Sequence, residues 1–213
     1  MQLKNDVAEN VAKSLLQVKA VKLSPNKPFT WASGWNSPIY CDNRLTLSYP
    51  QIRTYIRQEF VKMISEEVGH IDIIVGVATG GIAIGALVAQ ELGLPFAYVR
   101  SASKGHGLTN QIEGVVESGQ RAVVIEDLIS TGGSSMKAVE ALREVDVNVK
   151  AMIAIFNYGF EVAQKRFDDA KCRMMSLSNY DALIEFAMAT DYIQKSDYAS
   201  LKKWREAPDK WNK

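Results

Sequence analysis

Apolar runs rich in β-branched residues recur along the middle of this chain, and stretches with helical spacing separate them. Ala122 to Ile125 is uncharged throughout, which leaves no wet face and predicts a buried parallel strand. Ile71 to Val77, Val147 to Phe156 and Cys172 to Leu177 predict further core strands, and Phe96 to Arg100 a shorter one. Helices are predicted over Ile82 to Leu92, which Gly93 and Pro95 stop, over Ser134 to Val145 and over Phe160 to Asp169. Glu113 to Glu117 and Gln120 to Leu128 flank Ser118-Gly119 and read as a β-hairpin.

Before this region, Val7, Val11, Leu15 and Val18 recur at helical spacing behind a cap at Asn5 or Asp6. Pro25 and Pro28 end that pattern. PFTWASGWNSPIYCDNR then predicts a short strand, a turn and a second strand over Ile39 to Asp42, a hairpin able to cover the mouth of a sheet. Pro50 opens a helix carrying Ile52, Ile56, Met63 and Val68, and Gly69 closes it. Two short helices, Tyr180 to Ala189 and Ser196 to Glu206, fill the tail. Strands alternating with helices predict an α/β fold with a mainly parallel central sheet flanked by helices. The whole of 1–213 reads as one domain, with a core over roughly 50–178 and a small hood over roughly 20–45 plus the C-terminal elements.

Composition narrows the classes. The 213 residues are 47% hydrophobic, enough for one substantial core, and 25 basic against 24 acidic side chains give no nucleic-acid or membrane bias. Cys41 and Cys172 lie far apart with only His70 and His106 as companions, so neither a disulfide framework nor a zinc site is expected. Lys4, Asp6, Glu9 and Lys13 interrupt the first turns, unlike a signal peptide, and a reducing cytoplasm is the expected setting. Ile73 to Ala89 is free of charge, but its four glycines and short length suit a buried strand, loop and helix better than a membrane span.

The densest chemistry is RAVVIEDLISTGGS, residues 121–134. Glu126 and Asp127 fall at the carboxyl end of a core strand, where ligands of open α/β sheets sit. Ser130, Thr131, Gly132, Gly133 and Ser134 follow with hydroxyls, amides and flexible glycines just before a helix, the chemistry of a phosphate cradle. Two carboxylates would repel a bare anion, so the pattern suggests a phosphorylated pentose: acids on the ribose hydroxyls, the turn on the 5-phosphate. Ala78, Thr79, Gly80 and Gly81 make a second glycine loop at a strand end. No GxGxxG or lysine-bearing Walker A pattern occurs, which disfavours dinucleotides and nucleoside triphosphates. Arg100, Lys104 and His106 place two cations and a titratable donor on a glycine-containing loop that suits a polyanionic leaving group.

The 121–134 string resembles the signature of type I phosphoribosyltransferases, which use 5-phosphoribosyl 1-diphosphate (PRPP). The resemblance implies their fold, with Glu126 and Asp127 on the ribose, the segment from Leu128 and Ile129 through Ser134 on PRPP, and Thr79, Gly80 and Gly81 beside the pyrophosphate. R-x-x-x-K-x-H-G at Arg100 and the early SGWNSPIYCDNR are similar to the orotate phosphoribosyltransferase family. That likeness implies a homodimer in which the 101–112 loop completes the partner's site, with Lys104 and His106 neutralising pyrophosphate and Asp127 among the catalytic groups. It further implies Arg100 on PRPP, Ser130, Tyr40 and Cys41 at orotate, and Mg²⁺ held mainly through PRPP without an assigned protein ligand. The chain departs from the family at Ser101, Ala32 and Asn157, where lysine, lysine and arginine are common, so the partner of the orotate carboxylate is left open. A purine base or uracil as acceptor, and a non-catalytic PRPP sensor, stay as alternatives.

Overall fold

The computed structural model describes residues 2–31, 34–100 and 111–211. Helix α1 (Gln2–Gln17) precedes four short strands, β1 (Val21–Leu23), β2 (Phe29–Thr30), β3 (Asn36–Ser37) and β4 (Ile39–Cys41). A tight 3-10 segment over Asn43–Ser48 follows, and the Asp42 carboxylate accepts the Arg44 amide at its start. Helix α2 (Pro50–Met63) then begins on a proline, where the first amide would lack a partner in any case. The core continues through β5 (Ile73–Val77), α3 (Gly80–Leu92), β6 (Phe96–Val99), β7 (Ile112–Glu113) and β8 (Arg121–Ile129). It ends with α4 (Gly133–Glu144), β9 (Asn148–Asn157), α5 (Glu161–Asp169), β10 (Met174–Asn179), α6 (Tyr180–Ala189) and α7 (Lys195–Glu206).

Among the described residues the main sheet has the order β10-β9-β8-β5-β6-β7, parallel throughout except for β7 on the edge. β8 lies in the middle with parallel neighbours on both sides, which is why Ala122–Ile125 needs no polar face: all four side chains are fully buried. Val123 and Ile125 face a core built with α1, α2, α3, α6 and α7, while Ala122 and Val124 face one built with α4 and α5. At the amino end of the sheet, the Arg121 guanidinium meets both oxygens of Asp72 at 2.8 Å and its amide donates to the same carboxylate, tying β8 to the entry of β5. That bidentate pair holds the Asp72 carboxyl well below the usual carboxylate range.

The expected hairpin around Ser118-Gly119 does not form. Both edges of β8 are already occupied by β5 and β9, so no edge is left for residues 113–117; β7 instead pairs antiparallel with β6. The early hairpin is also rearranged. Ile39–Cys41 pairs with Val21–Leu23, not with the strand before the turn, and Phe29–Thr30 pairs with Asn36–Ser37. Strand β8 runs on through both acids to Ile129, and α3 begins at Gly80, two residues before the expected start.

An aromatic cluster fastens the hood to the core. Trp204 of α7 is fully buried with its ring 5.6 Å from Trp31, 5.7 Å from Tyr158, 5.5 Å from Phe160 and 5.2 Å from Tyr180. Its indole N–H donates to the Asn36 carbonyl at 3.2 Å, so one side chain joins the tail, the hood and the end of β9. Trp204→Ala is expected to cost about 3–5 kcal/mol. Differential scanning calorimetry should then show a melting point lower by about 10 °C; an unchanged midpoint would rule out this role.

Candidate active site

The carboxyl ends of the parallel strands open on one edge of the sheet, where β8 runs past β5 and ends level with β9. Its pairing with β5 ends at Ile125, opposite Gly76, whereas its pairing with β9 continues to Ile129, opposite Asn157. Glu126 and Asp127 therefore stand where β8 has lost one neighbour. Consecutive residues of a strand point to opposite faces, and the two acids divide accordingly.

Asp127 is half-buried and leans over the start of α3. A Cβ placed on Gly80 would collide with its carboxyl group, and one on Gly81 would collide with the Ile125 carbonyl, so the second glycine loop owes its glycines to the acid-bearing strand pressed against it. The Asp127 carboxylate thus lies at the positive end of a helix dipole. Glu126 turns the other way and is 4% exposed. Its Oε1 accepts the Asp127 amide at 3.0 Å, and its Oε2 accepts the Ser135 hydroxyl of α4 at 3.2 Å. Burial, and after it the neighbouring Asp127 carboxyl, push the Glu126 carboxyl well above its ordinary range.

The bend over Ser130 and Thr131 leads to Gly132, which caps α4 in the left-handed region at φ 75°. A side chain there would also press on the Phe167 ring, 3.2 Å from an added Cβ, so both backbone and packing call for glycine. The opening amides of α4 at Gly133 and Ser134 have no acceptor one turn earlier in the helix and face the mouth of the sheet as donors. Leu128 and Ile129 belong to β8, and the Ile129 side chain is fully buried with its carbonyl taken by the Tyr158 amide. Thr79 is exposed on the second loop, where the Ala78–Thr79 peptide is cis.

Arg100 leaves the end of β6 and pairs with Glu113 at 3.1 Å. With Ser134, Lys137 and Arg166 it borders a cavity of about 370 Å³ against α4, which brings the loop arginine and the expected phosphate bend to one place. Lys104 and His106 lie outside the described residues. On the hood, Tyr40 is 43% exposed beside Phe29, and Cys41 is half-buried. Burial, with Asp127 and Asp42 nearby, pushes the Cys41 thiol up, so it stays protonated at neutral pH and donates to Asn43 Oδ1 at 3.2 Å. Asn43 Nδ2 in turn donates to the Asp127 carbonyl at 2.6 Å. Asn157, at the common arginine position, turns its Oδ1 back to the Gly159 amide at 2.8 Å.

Sequence reasoning missed Asn43, Ser135, Lys137 and Arg166. Asn43 stands between Asp42 and Arg44 in a turn-rich stretch, and the others are single polar positions within helices that carry no motif. Only their placement in space marks them.

A family profile described as phosphoribosyl transferase domain matches residues 50–191. The orotate phosphoribosyltransferase of Porphyromonas gingivalis is 53% identical over 201 residues, covering 94% of this chain and 96% of that protein. The one from Listeria innocua is 50% identical over 207 residues, covering 97% and 99%. Among solved structures, the Aeropyrum pernix orotate phosphoribosyltransferase superposes with a TM-score of 0.75 at 28% identity over 86% of this chain and 99% of that one. The Leishmania donovani UMP synthase gives 0.79 at 25% identity over 93% of this chain and 42% of that one.

Because the folded chain holds the Glu126 proton more tightly than the unfolded chain, it binds more protons above about pH 4, where free glutamate ionises. Stability contributed by the protonated group is complete below that pH and is lost as pH rises through the raised value. Glu126→Gln removes the ionisation and keeps the size. Thermal melts across pH are expected to show a higher melting point than wild type at neutral pH and a flatter pH dependence in the variant; parallel curves would contradict the buried-acid assignment.

Proposed function

The chain belongs to the orotate phosphoribosyltransferase family, and from that premise we propose that it transfers the 5-phosphoribosyl group of PRPP to orotate, giving orotidine 5′-monophosphate and pyrophosphate in pyrimidine biosynthesis. The observation that carries this reading is the tip of β8: two adjacent acids, Glu126 against α4 and Asp127 over the start of α3, followed by a hydroxyl-and-glycine bend into a helix start. Acids there suit ribose hydroxyls, and the bend one helix start away suits the 5-phosphate.

On this reading Asp127 and Glu126 hold the ribose, and Ser130, Thr131, Gly132, Gly133 and Ser134 hold the 5-phosphate. Thr79, Gly80 and Gly81 present backbone to the pyrophosphate, at the end of a helix already polarised toward anions. Arg100 adds a cation from its own subunit, and Lys104 and His106 reach in from the 101–112 loop of the second subunit of a homodimer. Orotate sits between Ser130 and the backbone of Tyr40 and Cys41. As the C1–oxygen bond to pyrophosphate breaks and the C1–N1 bond to orotate forms, the sugar gains oxocarbenium character and the leaving oxygens gain negative charge. Positioning and neutralisation do the catalysis, and no covalent protein intermediate is required.

Among the described residues no three acid, thiol or imidazole groups gather into a metal cluster. The adjacent carboxylates fit a cation held mainly by substrate, and Mg²⁺ when bound supplies charge neutralisation on the pyrophosphate. No described helix is long and apolar enough to cross a membrane. The cytoplasm is the setting this reading assigns.

Spectrophotometric assay with PRPP and Mg²⁺ is expected to show orotate consumption that chelator abolishes, with hypoxanthine, xanthine, adenine and uracil inert; turnover of another base and not of orotate would refute the reading. Lys104→Ala is expected to lower turnover by about a hundredfold with little change in PRPP affinity. Undiminished turnover in that variant would remove the loop from the mechanism.

A further inference from the structure

We propose that Asn43 is a positioning residue, whose buried amide holds the base-side segment of the hood in register with the ribose-side acid Asp127. Asn43 is 1% exposed, and both ends of its side-chain amide are engaged. Nδ2 donates to the Asp127 carbonyl at 2.6 Å, Oδ1 accepts the Cys41 thiol at 3.2 Å, and its own carbonyl accepts the Thr46 hydroxyl at 2.6 Å. One side chain thereby joins β4, the 3-10 segment and the tip of β8.

The carbonyl it meets is special. β5 stops pairing with β8 at Ile125, and Asp127 lies two residues further on, on the part of β8 that β5 no longer covers. A part-buried acceptor there needs a donor, and the hood supplies it. The other end of the amide is Cys41, which with Tyr40 is assigned to the orotate ring under the proposed function. Base and ribose acid are then linked through two hydrogen bonds, although Asn43 and Asp127 are 84 positions apart.

This link is not what keeps the hood attached. Trp31 against Tyr158 at 5.3 Å and the Trp204 cluster do that. Removing the amide therefore leaves the hood in place and loosens only its register against Asp127. Misplacement of reacting groups by about 1 Å costs on the order of a hundredfold in rate. The loss falls on the step that needs both substrates aligned, not on PRPP binding.

The inference rests on the orotate reading and is tested with the full-length protein. PRPP affinity is measured by isothermal titration calorimetry, and kcat and KM for orotate by absorbance, in wild type, Asn43→Ala and Asn43→Asp. The aspartate keeps the size and loses the donor. Both variants are expected to bind PRPP within about threefold of wild type while kcat/KM for orotate falls about 30- to 100-fold. Turnover within about threefold of wild type in the Asn43 variants, or PRPP affinity falling in step with turnover, would each overturn the proposal. If Asn43→Ala does not fold, Asn43→Asp, which keeps the size, decides it alone. Wild-type protein that leaves orotate untouched fails the orotate reading itself, whereas active wild type with undiminished variants fails only this inference.

Discussion

The mouth of the sheet is organised by a mismatch in strand length. β8 outruns β5, so its last residues keep β9 on one edge and lose a partner on the other. Backbone polar groups at that step must find donors and acceptors outside the sheet, and the side chains there are free to meet a ligand. The Asp127 carbonyl is taken by the hood and its carboxylate sits over the start of α3, while the Glu126 carboxylate is held by α4.

The same step explains the cost carried by the site. A carboxyl group that is buried beside another acid is destabilising when ionised, and among the described residues one amide and one hydroxyl donate to Glu126. A protein selected for stability alone would place an apolar residue there. An acid held ready behind a short polar shell is useful when a ligand brings hydroxyl donors to it, because the ligand then relieves a penalty already built into the empty protein.

Much of this was legible along the chain. Ala122–Ile125, the acids and the bend are contiguous, and local spacing alone identified a strand, its carboxyl tip and a helix start. Helices α1, α2, α5 and α6 were equally plain because their apolar periods are local, although α1 starts at Gln2 and takes in Asn5 and Asp6, where a cap was expected. What failed was strand partnership. Ser118-Gly119 has hairpin chemistry, yet Gly119 serves a turn whose amide bonds to Asp146, since β8 had no edge to offer. Val21–Leu23 was passed over because a three-residue strand with a lysine in the middle carries too little pattern to register, and its partner lies on the far side of two turns. Asn43 was invisible for the same reason: its importance lies in a carbonyl far away in sequence.

Under the proposed function these failures fall on the base-recognition side, for a physical reason. The phosphoribosyl transferase profile begins at residue 50, after β1 to β4, the short strands that the proposed function sets against the base. A ribose phosphate has the same hydroxyls and charge whatever its acceptor, so a strand tip and a helix start can grip it through local geometry and leave a contiguous string. A base presents a flat edge that must be met from across the cleft by short strands paired over turns, such as β4 on β1. Those strands are steadied by distant aromatic and amide contacts, Trp204 and Asn43 among them, and not by their own periodicity. Under the proposed function, discrimination among bases is set by tertiary placement of the hood, whereas the sugar grip is set by one continuous turn of chain.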